Sequence, residues 1–366
     1  MIVTSEIKTY GWNDQLQTEF QPFADRGLIP GRVIVQQRSH YRLMTDLGEL
    51  AADMAGRFAH GAGEAGLPVT GDWVACAPRP RESAATIQAL LPRSSLFIRK
   101  AAGPSQSAQA VAANVDLALL VASLNADLNP RRLERYLAMA WESQVEPMVL
   151  LTKADTCTDI ETPLAAIRAV AVGAEVHAVS ALTGFGMAAV VARLAPGHTA
   201  VLLGSSGAGK STLVNALAGE ALMATAAIRE GDAHGRHTTT HRELILLPSG
   251  ALLLDTPGMR ELGLWDAQAG LAATFADLET EIDALALDCR FRDCGHQAEP
   301  GCAVRRAVEA GRLDSERWQS WIKLKRELAH LVRREDPVAK AAHRKHWIGI
   351  NKAQRARRRH REQDED

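Results

Sequence analysis

Eight consecutive residues, Gly204, Ser205, Ser206, Gly207, Ala208, Gly209, Lys210 and Ser211, have the types and spacing of a loop that holds phosphate. The apolar run 200–203 before them reads as a strand, and Thr212 opens a helical pattern that continues through Leu217. The loop therefore sits at a strand-to-helix turn, the context this chemistry needs. Its glycines let backbone N–H groups close around a β-phosphate, and the helix N-terminus adds partial positive charge. Lys210 is the residue to bridge the β- and γ-phosphates, and the Ser211 hydroxyl the one to ligate Mg²⁺.

Four further stretches name the nucleotide. Asp255 ends a strand-like run and precedes Thr256, Pro257 and Gly258, so that a carboxylate reaches Mg²⁺ through water and the Gly258 N–H approaches the γ-phosphate. The stretch Gly235-Arg-His-Thr-Thr-Thr240 suits a loop whose threonine closes on Mg²⁺. Thr238, Thr239 and Thr240 are all candidates for that ligand; Thr240 is taken as the working assignment. Thr152, Lys153, Ala154 and Asp155 resemble the guanine-reading element of GTPases. The Asp accepts from N1–H and the N2 amine, and the Lys stem covers the base. Only guanine offers that donor pair, so Asp155 argues for GTP and against an ATPase or kinase. Ser180 and Ala181, followed by Leu182, resemble the loop whose backbone meets guanine O6.

Three thiols and an imidazole fall within fourteen residues at Cys289, Cys294, His296 and Cys302. Three cysteines and one histidine fill a tetrahedron and leave no place for water, so the expectation is one structural Zn²⁺. Cys76 and Cys157, the other two of five cysteines, lie far from the cluster and read as core residues.

The elements that must position these groups follow from texture. With 366 residues and 46% hydrophobic content, the chain has material for two or three domains. Residues 1–28 are polar with scattered aromatics and read as an arm. From Gly31, alternating apolar residues give several short strands over 29–100, a small five-stranded barrel of the oligonucleotide-binding (OB) type. Arg32, Arg38, His40 and Arg42 lie on its strands, with Arg93, Arg99 and Lys100 near its exit; they read either as an RNA face or as solvated outward positions. Residues 101–108 form a linker. Strands and helices then alternate over 108–268, a doubly wound α/β sheet. A helical metal-binding region covers 269–335.

The formal net charge of −1 conceals a basic tail over 336–366, where Lys340 to Arg361 holds nine Lys or Arg and no acid. Interleaved with Trp347, that tail suits phosphate contacts; a disordered solubilising segment is the alternative reading. Neither a signal core nor a membrane-length apolar run is present, so the expectation is a cytoplasmic protein without membrane contact.

The order of the nucleotide elements is permuted: base reader and O6 loop precede the phosphate loop. This permuted order, a small N-terminal barrel and a C-terminal Cys/His cluster together resemble the RsgA family of small-subunit-dependent GTPases across nearly the whole chain. The resemblance implies a circularly permuted α/β P-loop GTPase domain between an OB-fold barrel and an α-helical zinc domain. It implies GTP hydrolysis to GDP and phosphate, stimulated by the small ribosomal subunit during its late maturation, with rRNA as a partner; a monomer is expected. Thr152 stands where Asn is commoner, and apolar Met259 stands where many GTPases carry the water-orienting glutamine. The resemblance points to His237 as the replacement. The rival expectation is an RNA-binding protein that holds GTP as a static ordering ligand.

Overall fold

A computed structural model describes residues 5–37, 40–56, 66–100, 108–125, 128–223, 242–255, 267–296 and 299–335. The chain divides into two compact units, one of Met1–Gly263 with Ala269–Ala276, the other of Leu264–Gln268 with Asp277–Asp366.

In the first unit, β1 (Ile29–Gln37), β2 (His40–Thr45), β3 (Gly48–Met54), β4 (Trp73–Arg79) and β5 (Ala84–Leu90) form a barrel in the order β1-β2-β3-β5-β4, closed by pairing of β4 with β1. β3 and β5 run parallel and the other neighbours antiparallel. Period-two alternation aims Tyr41, Leu43, Leu50 and Ala52 inward against Val33, Val74 and Ile87. The outward positions His40 and Arg42 are exposed, and they face Asp53 at 3.2 Å and Glu49 respectively.

Two of the basic residues noted on sequence are not surface groups. Arg32 is only 2% exposed: its guanidinium lies 5.0 Å from the Trp73 ring and donates to the Tyr10 carbonyl, to the Asn114 carbonyl at 3.2 Å and to the Thr199 hydroxyl at 2.6 Å. Burial pushes its pKa down to about 10, while Asp116 and Asp72 pull it the other way. Arg93 clasps the fully buried Asp72 at 2.7 and 2.8 Å. Both arginines satisfy buried polar groups, which an outward-face reading cannot anticipate. Arg38 and the side chains of Arg99 and Lys100 lie outside the described residues.

The N-terminal residues form α1 (Ser5–Thr9) and α2 (Asp14–Ala24), the latter capped by Asn13, whose side chain accepts from the Leu16 amide at 2.9 Å. Ile7, Trp12 and Phe20 are buried with Trp73 and Leu91 of the barrel. β6 (Leu96–Lys100) pairs with β7 (Ala108–Ala113) as a separate two-stranded sheet; the intervening 101–107 lie outside the described residues.

Beyond the hairpin come β8 (Leu117–Ser123), α3 (Pro130–Glu142), β9 (Glu146–Thr152), α4 (Glu161–Val170), β10 (Glu175–Ala178), α5 (Met187–Arg193), β11 (Thr199–Gly204), α6 (Lys210–Ala218), β12 (Arg242–Leu246) and β13 (Leu252–Asp255). The strand order is β10-β9-β8-β11-β13-β12. All neighbours are parallel except the β13–β12 pair. β8, β9 and β11 are near-continuous apolar runs because helices cover both faces of a parallel sheet. The sheet does not stop at β12, because β12 pairs antiparallel with β1 and joins barrel and α/β sheet into eleven strands.

The short α7 (Gln268–Thr274) falls almost wholly in the first unit, and α8 (Ala276–Ala286), α9 (Ala303–Glu309) and α10 (Ser315–Glu335) belong to the second. Arg317 makes a two-pronged ion pair with Asp277, and Trp321 Nε1 donates to Glu279 at 2.8 Å.

Candidate functional site

Parallel strands put their C-terminal ends along one edge whatever their order in the chain. The phosphate loop leaves β11, the Thr152–Asp155 stretch leaves β9 and the Ser180 loop follows β10, so a permuted order still converges on one edge.

The loop geometry explains its glycines. Gly207 and Gly209 adopt φ of 75° and 89°, the left-handed region where a side chain is strained. Gly204 lies so close to β8 that a Cβ would fall 2.3 Å from the Val121 carbonyl. Lys210 Nζ donates to the Gly204 and Ser205 carbonyls at 2.8 and 2.5 Å, so its ammonium sits within the loop. Ser205, Gly209, Ser211 and Thr212 are half-buried, Ser206 and Gly207 exposed, and Ala208 buried.

The base-reading stretch is fastened to this loop. The hydroxyl of Thr152, a residue only 4% exposed, donates to the Ala208 carbonyl at 2.6 Å, and Lys153 Nζ donates to the Gly207 carbonyl at 2.8 Å. Lys153 itself takes φ 61°; the turn after it is closed by the Thr156 amide donating to the Lys153 carbonyl at 3.0 Å, and the Ala154 amide ties it to the end of β10 by donating to the Val179 carbonyl at 3.2 Å. Asp155 is exposed, its carboxylate open to a ligand. The Ser180 amide donates to Phe185, its hydroxyl accepts from Thr183 and its carbonyl accepts from Gly184. Ser180 is thus consumed in holding its turn, and the half-buried Ala181 amide is the next donor along the chain.

The β13 backbone places Asp255 opposite Glu243 of β12. The Asp255 side chain, Gly258, His237 and Thr238–Thr240 lie outside the described residues, as does the tail with Trp347.

In the second unit, the ligand atoms of Cys289, Cys294, His296 and Cys302 all lie within 4.8 Å of one another. His296 Nδ1 is 3.7 Å from the Cys289 sulfur and 3.5 Å from that of Cys302. The Ala303 amide donates to Cys289 at 3.3 Å, and the Arg305 amide to Cys302 at 3.4 Å, where α9 begins. Burial pushes the Cys289 thiol up, but the amides of Ala303 and Val304 outweigh it and leave the pKa below the ordinary thiol value. Cys294 is pushed up to about 11, chiefly by burial and by the neighbouring thiols. Four donors at this spacing, with N–H groups aimed at two sulfurs, fit one tetrahedral metal ion. The four donors named on sequence do lie together; the amides of the following helix start are not legible in the sequence, although a Cys at a helix N-cap is the signal that finds them.

Comparison with known proteins agrees with this geometry. A model of the RsgA GTPase family matches residues 90–265. A protein of Opitutus terrae named small ribosomal subunit biogenesis GTPase RsgA is 46% identical over 363 residues, 96% of this chain and 98% of that one. A Streptomyces coelicolor protein of the same name is 45% identical over 94% of this chain and 92% of its own. Among solved structures, YjeQ from Thermotoga maritima superposes with a TM-score of 0.58 at 22% identity, covering 82% of this chain and 98% of that one. YloQ, described as a circularly permuted GTPase, gives 0.56 at 25% identity, covering 82% and 95%.

Proposed function

The chain belongs to the RsgA GTPase family, and from that premise we propose a GTP-hydrolysing enzyme of small ribosomal subunit biogenesis whose turnover the small subunit stimulates and whose barrel, zinc domain and basic tail contact rRNA. The observation that carries the reading is the pair of contacts from Thr152 and Lys153 to the phosphate loop, which brings a guanine reader and a phosphate cradle within the span of one nucleotide.

In this reading Asp155 accepts from guanine N1–H and N2, and Lys153 covers the base. Ala181 gives its amide to O6, while Ser180 holds the turn. The amides of 205–212 surround the phosphates, and Lys210 leaves the Gly204 and Ser205 carbonyls for the β- and γ-oxygens. Ser211, one of Thr238–Thr240 (Thr240 in the working assignment) and, through water, the Asp255 carboxylate are the Mg²⁺ ligands. When bound, that ion neutralises charge developing on the β/γ bridge. The Gly258 amide approaches the γ-phosphate, and His237 orients the attacking water in place of Met259. Cys289, Cys294, His296 and Cys302 hold one structural Zn²⁺, which closes a loop between short helices with little core of their own. Among the described residues no helix is long and apolar enough to cross a membrane.

Phosphate release measured with small subunits, large subunits and naked rRNA tests the reading. The expected result is slow turnover alone and at least ten-fold faster turnover with small subunits only. Equal rates under all conditions would overturn it.

A further inference from the structure

The strand that follows the threonine-bearing stretch is also the strand that holds the barrel. β12 begins at Arg242, two positions after Thr240, and pairs on one edge with β13 and on the other with β1. On the β13 side Glu243 stands opposite Asp255; on the β1 side Glu243 stands opposite Val35, and Arg242 opposite Gln36.

Arg242 is tied by more than its place in the ladder. Its Nη1 donates to Gln36 Oε1 at 3.2 Å and lies 3.5 Å from the Ala110 carbonyl of β7. Its own carbonyl accepts from the Thr70 hydroxyl at 3.3 Å. A barrel strand, the loop entering β4 and the β6–β7 hairpin therefore meet at one half-buried arginine, whose sequence neighbour Glu243 is the backbone partner of Asp255. Strands in a ladder keep a spacing of about 4.8 Å, so a shift of β1 cannot leave β12 where it was.

We propose that Arg242 is a positioning residue for subunit-stimulated hydrolysis, fixing β12 against β1 so that a partner binding the barrel or hairpin also sets the β12–β13 pair, which lies beside β11 and the phosphate loop that β11 carries. The proposal rests on the reading of a subunit-stimulated GTPase given above. Its physical content is a coupling free energy between two surfaces joined by one element that both bias, and the coupling is reciprocal for binding. The factor by which the partner favours the triphosphate over the diphosphate form then equals the factor by which it raises the protein's affinity for triphosphate relative to diphosphate.

The test compares Arg242→Ala, Arg242→Lys and Gln36→Leu with the wild type in phosphate release with and without purified small subunits, beside co-sedimentation with those subunits and thermal melts. Basal turnover stays within about two-fold in all variants, because neither Arg242 nor Gln36 is among the residues assigned to nucleotide or Mg²⁺. Arg242→Ala lowers the stimulation factor roughly ten-fold, within the range of ordinary coupling energies, while still co-sedimenting. Arg242→Lys and Gln36→Leu fall between it and the wild type. Stimulation of Arg242→Ala equal to the wild type overturns the inference and leaves the underlying reading intact. A wild type that gains nothing from subunits overturns the reading and the inference together. Should Arg242→Ala melt at assay temperature, Gln36→Leu decides: reduced stimulation with bound subunits supports the inference, and full stimulation overturns it.

Discussion

The Thr152 hydroxyl reaches across 2.6 Å to the Ala208 carbonyl, so that the end of β9 and the phosphate loop after β11 are held by one hydrogen bond that does not involve nucleotide. An asparagine brings two donors and an acceptor to such a position; a threonine brings one hydroxyl, whose second neighbour is the Ala122 carbonyl at 3.3 Å. The strap is short because Gly209 leaves room for it, a Cβ there falling 3.2 Å from the Thr152 oxygen.

Thr152→Val keeps the shape and deletes the donor, leaving a buried carbonyl unsatisfied at a cost of about 1–3 kcal/mol. Part of that cost appears as looser placement of Asp155 relative to the loop. GTP and GDP affinities fall by roughly ten-fold together, and Thr152→Ser restores most of the loss. Fluorescent guanine-nucleotide titration measures this; unchanged affinity in the valine variant would show that the strap is idle.

In the proposed reading Asp155 decides the base. Asp155→Asn replaces an acceptor-only carboxylate by an amide that donates as well. Guanine then loses one N–H···O⁻ bond and meets an N–H against its own N–H. Affinity for GTP drops by at least 10²-fold, and xanthosine triphosphate, which offers a carbonyl where guanine has its amine, becomes the better ligand. A competition assay with both nucleotides checks the order.

The metal cluster gives a third expectation. Cys302 is buried, caps α9 and receives the Arg305 amide; in the proposed reading Cys302→Ser removes a metal ligand, while the serine hydroxyl keeps the helix cap. Metal analysis should give about one Zn²⁺ per wild-type chain and well under half in the variant, with a lower melting temperature for the second unit. A chelator strong enough to strip the wild type should produce the same melting curve. Full metal content in Cys302→Ser would place the ion elsewhere.

Much of this was legible because it is local. The phosphate loop is a contiguous run between an apolar strand and a helix, and Cys289 to Cys302 announce a tetrahedron within fourteen residues. The permuted order cost nothing, since parallel strands share an edge. What stayed hidden is long-range. Arg32 reads as an outward barrel position because the groups that bury it, Tyr10, Asn114 and Thr199, lie 22, 82 and 167 residues away. The N-terminal segment reads as an arm because the cluster of Ile7, Trp12 and Phe20 is completed by Trp73 and Leu91 of the barrel region, more than fifty residues further along the chain. The β1–β12 pair likewise joins residues some two hundred positions apart, with no pattern in either strand to name the other.

Arg32 supplies the last prediction. Arg32→Met keeps an apolar stem against Trp73 but strips donors from the Tyr10 and Asn114 carbonyls and from the Thr199 hydroxyl. Replacing a buried charge by a well-packed apolar chain is neutral where the partners lose nothing; here two carbonyls are left over, and the polar loss wins by about 2 kcal/mol. Arg32→Lys retains a charge without the planar fork and falls between the two. Urea unfolding followed by tryptophan fluorescence should rank wild type, Lys and Met in that order, because Trp73 reports directly on the contact. Thr199 opens β11 and the phosphate loop closes it, about 17 Å away along the strand. Guanine-nucleotide affinity of the folded variants should therefore stay within two-fold of the wild type. A collapse of affinity without loss of stability would mean that Arg32 acts on the loop and not on the fold.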